Sequence, residues 1–222
     1  MTEIEYNLVR KKVKNASIRI SSNLDITITV PVSYSKSRLD NLIADKSEWI
    51  SKTLLKLSKR KKDIDLKDNE VLLFGEKYTL TVDPSVNNKI LTYHESKKIV
   101  SNHEITRKSS ILVEWYIHLA KKEITRMVGE LAEKYGFEYS RIFIRNQKTK
   151  WGTCSSRKNL SFNWRLIRCP RSVIEYLIIH ELSHLKEMNH SKRFWELVES
   201  MCPDFKKSKL WLKEYESYLF SL

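Results

Sequence analysis

The chain of 222 residues is long enough to form one large domain or two modest lobes, each with its own core. Its 41% hydrophobic and 10% aromatic residues exclude a disordered chain, and its net charge of +14 favours anionic partners. The three cysteines form no CxxC pair, which argues against a disulfide framework and fits a reducing compartment. Because the sequence shows no signal-like N-terminus and no membrane-spanning apolar run, we expect a cytoplasmic protein without membrane contact.

The first part of the chain predicts a strand pair followed by a long helix. Apolar and polar residues alternate over residues 24–30, which is the period of a half-buried strand. Residues 18–20 predict its partner, across a turn at residues 21–23. Apolar residues then recur at helical spacing over residues 39–57, and the basic run 59–62 marks the expected end of that helix.

Short strands and polar loops are expected next. Apolar residues predict strands at 71–74 and 78–82, whereas the stretches 84–89 and 101–110 have the composition of loops. We place a lobe boundary in the second loop. The expected N-terminal α/β lobe therefore comprises residues 1–104.

A second long helix opens the expected C-terminal lobe. Helical spacing of apolar residues predicts this helix over residues 110–135, and Gly136 is a natural cap after it. Strands are expected at 141–145 and 160–165, on either side of a polar loop at 146–156. If the strand at 160–165 lies at an edge of its sheet, an extended peptide can pair with it.

Three helices are expected to complete the chain. The first begins at Pro170, because proline fits the first turn of a helix. The second starts after Ser191, a good N-cap residue, and ends at Pro203; the third contains Leu210 to Leu219. The sequence therefore predicts an α+β fold with a helical metal-binding core, packed on a small sheet, in residues 105–222.

A histidine pair on the helix after Pro170 predicts a metal centre. His180 and His184 are four residues apart, so both lie on one face of a helix and can bind one ion. Glu181 lies about 100° further round that helix, near enough to bond a water on the metal. His190 follows ten residues after the first histidine. Three neutral imidazoles on a tetrahedral ion leave its fourth position to water, which is typical of a catalytic zinc site.

The third ligand is open to alternatives. The extended zinc-protease motif has glycine seven residues after its first histidine, whereas this chain has Glu187 there. A left-handed Asn189 is expected to turn the chain back so that His190 reaches the metal. Glu187, Glu196 or Glu199 can also supply a carboxylate. Solvated histidines without a metal are the simplest alternative, but half of the six histidines fall within this short stretch.

Residues 139–174 contain nine arginines or lysines and no acidic residue, directly before the histidine helix. A positive field beside a metal site favours anionic ligands such as peptide carboxylates, phosphates or nucleic acid. The candidate substrate-binding residues are Arg145, Lys148, Lys150 and Asn163, with Arg157 and Arg165 as further phosphate contacts. A solvated basic face is the alternative explanation for this charge.

The chain resembles the YgjP-like family of metal-dependent hydrolases and zinc metallopeptidases, which is related to the WLM and SprT-like groups. The resemblance rests on linked motifs: Lys148-Thr149-Lys150-Trp151-Gly152-Thr153-Cys154-Ser155, Leu160-Ser161-Phe162-Asn163, His180-Glu181-Leu182-Ser183-His184 and Asn189-His190-Ser191. It implies a zincin-type core with an N-terminal α/β extension. It also implies one Zn²⁺ ion held by His180, His184 and His190, with Glu181 as the general base.

Three functions follow as hypotheses. The first is zinc-dependent hydrolysis of a peptide or protein by a metal-activated water, with Glu181 as the base. The second keeps the metal but takes a nucleotide or another phosphoanhydride, held by the basic segment. The third is a nucleic-acid-associated protein with a metal site, although the sequence shows no recognisable DNA-reading module. The oligomeric state does not follow from the sequence.

Overall fold

The computed structural model describes residues 5–21, 24–63, 66–87, 90–107 and 109–220. Contacts along the backbone divide the chain into two compact units, residues 1–65 and residues 66–222. The expected lobe boundary after residue 104 thus falls inside the second unit. As a division between functional lobes, it stays a prediction.

The first unit is a three-stranded sheet with one long helix. Its strands are β1 (Asn7–Lys11), β2 (Ser17–Ile20) and β3 (Ile26–Pro31), in the order β1-β3-β2, and its helix is α1 (Lys36–Asp63). Every second residue of β3 is buried and packs with Leu39 and Ile50 of α1. The predicted strand pair and helix are therefore confirmed, while the turn residues 22 and 23 lie outside the described part of the chain.

A four-stranded sheet opens the second unit. Its strands are β4 (Glu70–Leu73), β5 (Glu76–Val82), β6 (Leu91–Tyr93) and β7 (Lys98–Ser101), in the order β4-β5-β7-β6. The first two were predicted. The last two were not, because they are short and lack a clear alternation.

The turn between β4 and β5 packs on the segment that leads into the histidine helix. The Phe74 N–H donates to the Ile167 carbonyl (2.8 Å), and the Gly75 N–H donates to the Arg168 carbonyl (3.1 Å). Gly75 has φ +80°, and a Cβ atom on it would lie only 2.7 Å from Cγ of Pro170. These contacts explain why strands expected in an N-terminal lobe belong to the second unit.

Helix α2 (Ser110–Tyr135) has the predicted bounds. The Ser109 side chain accepts a hydrogen bond from the Leu112 N–H, and Gly136 ends the helix in the left-handed conformation at φ 65°. The hydroxyl of Tyr116 donates to the Leu72 carbonyl (2.6 Å), which joins the buried face of α2 to β4.

A second small sheet precedes the histidine helix. Its strands are β8 (Ile142–Arg145), β9 (Gly152–Cys154) and β10 (Leu160–Asn163), in the order β8-β10-β9. Strand β10 is central in this sheet, so the condition under which an extended peptide could pair with it is not met. The edge next to the histidine helix is β9, a strand within the segment expected to be a loop.

Strand β10 is shorter than predicted because Asn163 starts a 3₁₀ helix at Trp164–Arg168. The Asn163 side chain accepts a hydrogen bond from the Arg165 N–H (3.1 Å), as an N-cap residue does. Arg165, expected at the end of the strand, is consequently buried within this 3₁₀ helix.

Three helices complete the unit: α3 (Arg171–Ser183), α4 (Lys192–Met201) and α5 (Phe205–Leu219). The sheet of β8 to β10 packs against α2 and α3. The predicted α+β class, with a helical C-terminal core packed on a small sheet, is confirmed. Among the described residues, none of the helices combines the length and the apolar character needed to cross a bilayer.

Candidate metal centre

Helix α3 holds the histidine pair at the border of the core. Ile174, Ile178 and Leu182 are fully buried and fix one face of the helix. His180 and His184 lie beside that face and are partly exposed, with ring centroids 5.0 Å apart. The predicted placement of both rings on one side of a helix is confirmed.

The chain turns directly after α3 and brings His190 back to the pair. The Ser183 carbonyl accepts hydrogen bonds from the N–H groups of Lys186 (3.1 Å) and Glu187 (2.9 Å), which tightens the turn. The expected left-handed conformation at Asn189 is wrong, because its φ is not positive. The predicted cap at Ser191 is confirmed, since its side chain accepts from the Phe194 N–H and starts α4.

The three imidazoles converge on one point. Nε2 of His190 lies 3.1 Å from Nε2 of His180, and one nitrogen from each of the three histidines lies within 4.8 Å of the other two. Among the described residues, this is the cluster of ligating side chains that can hold a metal ion. The alternative carboxylates lie outside it: Glu196 pairs with Lys192 and Glu199 with Lys206.

The charge state of the rings suits a metal ion. Burial lowers the pKa of His180 to about 3, and the neighbouring imidazoles and the Lys209 ammonium act in the same direction. Burial also lowers the pKa of His190, again with help from His184 and Lys209. The rings of His180 and His190 are therefore neutral near pH 7, and neutral imidazole nitrogens are good ligands for a divalent metal such as zinc.

The hydrogen-bond partners of the ring nitrogens indicate which of these nitrogens are free to bind a metal ion. Nδ1 of His184 lies 3.1 Å from the Glu187 carbonyl. A carbonyl only accepts, so Nδ1 carries the proton and Nε2 is left free to bind a metal. Nδ1 of His180 is buried and has no hydrogen-bond partner among the described residues.

Two aromatic side chains of α4 orient the histidine rings. Phe194 is fully buried and stacks on His184 at a centroid distance of 4.5 Å. Trp195 stacks on His190 at 5.7 Å. Both residues were predicted to lie in a helix, but their contacts with the histidine rings were not predicted. The signal was their position four and five residues after His190.

Glu181 directly follows His180 in α3 and is almost completely buried, with 4% of the residue exposed. Burial raises its pKa to about 8, while the positive charge of Lys150 acts in the opposite direction. A Cβ atom built on Gly152 would lie 2.7 Å from Oε1 of Glu181. Strand β9 can therefore approach the carboxylate only because residue 152 has no side chain. This need for glycine at position 152 was not predicted.

Strand β9 is an edge strand: none of the other strands in the described part of the chain pairs with its side away from β10. The Asn163 N–H donates to the Trp151 carbonyl (2.8 Å), and the Ser155 N–H donates to the Asn159 carbonyl (2.9 Å). In an antiparallel pair, the backbone N–H and C=O groups of every second residue point towards the partner strand. Those of Gly152 and Cys154 therefore point away from β10.

Cys154 lies on the same face of β9 as Gly152, because side chains alternate along a strand. Burial raises the pKa of its thiol to about 11, and the negative charge of Glu181 acts in the same direction. The thiol is therefore protonated near pH 7, and Cys154 is not one of the residues in the histidine cluster.

The four predicted substrate-binding residues differ in their exposure to solvent. Lys150 is exposed, and its charge acts on Glu181. Arg145 and Lys148 are exposed, and the guanidinium of Arg145 lies 4.8 Å from the centre of the Phe143 ring.

Asn163, in contrast, is fully buried. Its side-chain nitrogen donates to the carbonyls of Gln147 (2.7 Å) and Lys150 (3.0 Å), so it holds the loop that carries Lys150. Arg165 is also buried and donates to the side chain of Asn146 (2.6 Å).

A histidine pair at helical spacing, a third histidine and an adjacent glutamate define the class of metal-dependent peptidases. The chain belongs to the YgjP-like family, whose metallopeptidase-domain model matches residues 14–215. The resemblance seen in the sequence is thereby confirmed. No curated protein matches the chain.

Two solved structures are similar to parts of the chain. The metallopeptidase zymogen abylysin of Pyrococcus abyssi is 21% identical, with a TM-score of 0.38, over 42% of this chain and 95% of that one. The metallopeptidase zymogen jannalysin of Methanocaldococcus jannaschii is 24% identical, with a TM-score of 0.35, over 39% of this chain and 93% of that one. The family assignment rests on the family model, which spans most of the chain.

Proposed function

We propose that this protein is a zinc-dependent peptidase in which His180, His184 and His190 hold one Zn²⁺ ion and Glu181 is the general base. The observation that carries the proposal is the convergence of three imidazole nitrogens within 4.8 Å of one another, with the buried Glu181 next to His180 in the same helix. Zinc, when bound, supplies a Lewis acid that polarises the scissile carbonyl and lowers the pKa of water.

Contacts within the protein orient the proposed ligands. The Glu187 carbonyl fixes the tautomer of His184, and the rings of Phe194 and Trp195 hold His184 and His190 in place. Rigid ligands favour a single coordination geometry, and neutral imidazoles need no deprotonation near pH 7.

The carboxylate of Glu181 moves the proton. The positive charge of a bound zinc ion would favour the ionised form of this carboxyl group against the effect of burial. In that form, one of its oxygens accepts a proton from the water that attacks the peptide carbonyl, and the same carboxyl group then gives that proton to the departing amide nitrogen. Glu181 is one residue from the proposed ligand His180, so both belong to the same turn of α3. Gly152 leaves the space that the carboxylate occupies.

The substrate in this proposal is an extended peptide that pairs with the open edge of β9. The outward N–H and C=O groups of Gly152 and Cys154 supply the hydrogen bonds of a new strand, and this strand passes alongside Glu181. Strand β9 thus takes the role expected for β10. Lys150 supplies a positive charge at the cleft, and Asn163 positions the loop that carries it.

Metal analysis and a matched variant test the proposal. Protein purified without chelators is expected to contain one zinc per chain and to cleave peptides from a mixed peptide library. Glu181→Gln is expected to keep the zinc and lose cleavage, because the amide cannot accept the proton. Cleavage at the wild-type rate by this variant would remove Glu181 from the reaction.

The same two proteins decide between the substrate classes. Nucleoside triphosphates are assayed in parallel with the peptides. Glu181-dependent hydrolysis of the triphosphates, with every peptide left intact, would replace the peptide with a phosphoanhydride substrate. Metal-free protein that cleaves either substrate would contradict the role of zinc.

A further inference from the structure

A groove between α4 and α5 lies next to the histidine cluster. Its volume is about 710 Å³, and residues of both helices line it. Trp195 forms the wall between groove and cluster, since the same ring stacks on His190 at 5.7 Å and on Phe205 at 5.4 Å. A group bound in the groove would therefore be separated from the proposed metal centre by the Trp195 side chain.

The wall and rim of the groove are apolar in part. Trp195 and Phe205 stack with an angle of 18° between their rings and present a continuous aromatic surface. Leu210 lies beside them and is 52% exposed, although leucine is usually buried. An apolar surface of this kind binds the side chains or methylene groups of a peptide.

The charges that line the groove do not balance. Two of its four lysines pair with its two glutamates: Lys192 with Glu196 (3.5 Å) and Lys206 with Glu199 (2.9 Å). The other two, Lys209 and Lys213, have no carboxylate partner among the described residues. The groove therefore carries two positive charges that no acidic side chain within the described ranges neutralises.

The two unneutralised lysines line the same groove from one helix. They are four residues apart on α5 and so lie on the same face of the helix. Nζ of Lys209 lies 4.0 Å from the centre of the Trp195 ring, on the wall shared with the histidine cluster. A carboxylate bound between these ammonium groups would have its methylene stem against the aromatic surface.

We propose that this groove is a specificity subsite that binds an acidic side chain of the peptide substrate near the scissile bond, with Lys209 and Lys213 as its carboxylate-binding residues. The subsite rests on the proposed peptidase function. An acidic side chain within a longer peptide fits better than a terminal carboxylate, because Leu210 and Lys213 at the rim are exposed and leave room for the chain to continue.

Peptide binding tests the subsite separately from catalysis. The probes are two fluorescein-labelled octapeptides that differ only in a glutamate or glutamine next to a central leucine. Their affinities are measured by fluorescence anisotropy on the full-length, zinc-loaded Glu181→Gln protein. Wild-type protein is incubated with the same peptides and the products are analysed by mass spectrometry, which reports on the proposed peptidase function.

The matched variants change the same number of charges at two places. Lys209→Gln with Lys213→Gln removes the proposed contacts, whereas Lys121→Gln with Lys122→Gln removes two exposed charges from α2. We expect the glutamate peptide to bind about fivefold more tightly than the glutamine peptide, the strength of a good exposed ion pair. This preference is lost in the α5 variant and kept in the α2 variant.

Charge reversal provides a second measurement. With Lys209→Glu and Lys213→Glu, a lysine-containing octapeptide is expected to bind more tightly than the glutamate peptide. Equal binding of the glutamate and glutamine peptides, or a preference that survives the α5 variants, would overturn the subsite. Absence of cleavage by the wild-type protein would count against the peptidase function instead, because the binding ratio alone decides the subsite.

Discussion

The two walls of the proposed active site contribute in different ways. The helical wall, formed by α3 and α4, supplies side chains: three imidazoles, the Glu181 carboxylate and the aromatic rings that orient them. The strand wall, formed by β9, supplies backbone N–H and C=O groups and, at Gly152, the absence of a side chain. One wall carries the proposed chemistry, and the other leaves space for it and presents an edge to the substrate.

Metal binding and substrate alignment, which a peptidase needs, are expected to depend on different walls of the proposed site. Metal binding depends on the helical wall, because every proposed ligand comes from α3 or from the turn and cap that follow it. Substrate alignment depends on the strand wall, because an unpaired strand edge is a template for an extended peptide. Changes to one wall should therefore leave the property of the other largely intact.

The largest effect is expected from the helical wall. His190→Ala removes one of three imidazoles, and the remaining two cannot close the cluster around an ion. We expect protein with this change to lose its zinc during dialysis against metal-free buffer, as measured by elemental analysis. His118→Ala, on the exposed face of α2, is the control and should keep the metal. Full zinc occupancy in the His190 variant would remove this residue from the ligand set.

A single added methyl group tests the contribution of the strand wall. Gly152→Ala places a methyl group 2.7 Å from Oε1 of Glu181, so the carboxylate must shift while the histidines stay in place. We expect zinc to be retained and kcat to fall by about 100-fold, which is typical of a misplacement of about 1 Å at a reacting group. Gly129→Ala on α2, where a Cβ meets no atom within 4 Å, should leave kcat unchanged. Loss of zinc in the Gly152 variant would show that the two walls are not independent.

The helical wall was also the part that the sequence predicted well. His180 and His184 are related by helix geometry alone. Outside this wall, the approximate bounds of α2 were also predicted, from the helical spacing of its apolar residues and the cap at Gly136. Such features depend on neighbours close in sequence. The proposed third ligand, His190, depends on a turn whose conformation at Asn189 was predicted wrongly, although the ring still lies in the cluster.

The strand wall could not be predicted in the same way. The three residues of β9 are too short to show a period, and they pair with β10 only through the tertiary fold. The approach of Gly152 to Glu181 joins residues 29 positions apart, so no local pattern reveals it. The position of the Gly75 turn against Pro170 is long-range in the same sense, and it places residues 66–104 in the second unit.

A smaller effect is expected at the loop before β9. Asn163→Ala removes the side chain that donates to the Gln147 and Lys150 carbonyls, and it leaves buried polar groups without partners. The expected loss of stability is about 1–3 kcal/mol, from denaturant unfolding of the metal-free proteins. Since Lys150 and β9 follow this loop, kcat/KM should also fall while the zinc content stays at the wild-type value. A stable variant with normal turnover would mean that the loop is held in place by other contacts.

The smallest effect is expected from the one charge that the strand wall contributes near Glu181. Lys150 is exposed, so water and salt screen its field, and Lys150→Gln should lower kcat/KM by about fivefold or less. The difference between wild type and variant should shrink further as the salt concentration rises, whereas the effect of Gly152→Ala should not depend on salt. Lys121→Gln on α2 provides the charge-matched control. A loss of 100-fold or more at Lys150 would contradict the division between the walls, because the strand wall would then supply a side chain on which the reaction depends.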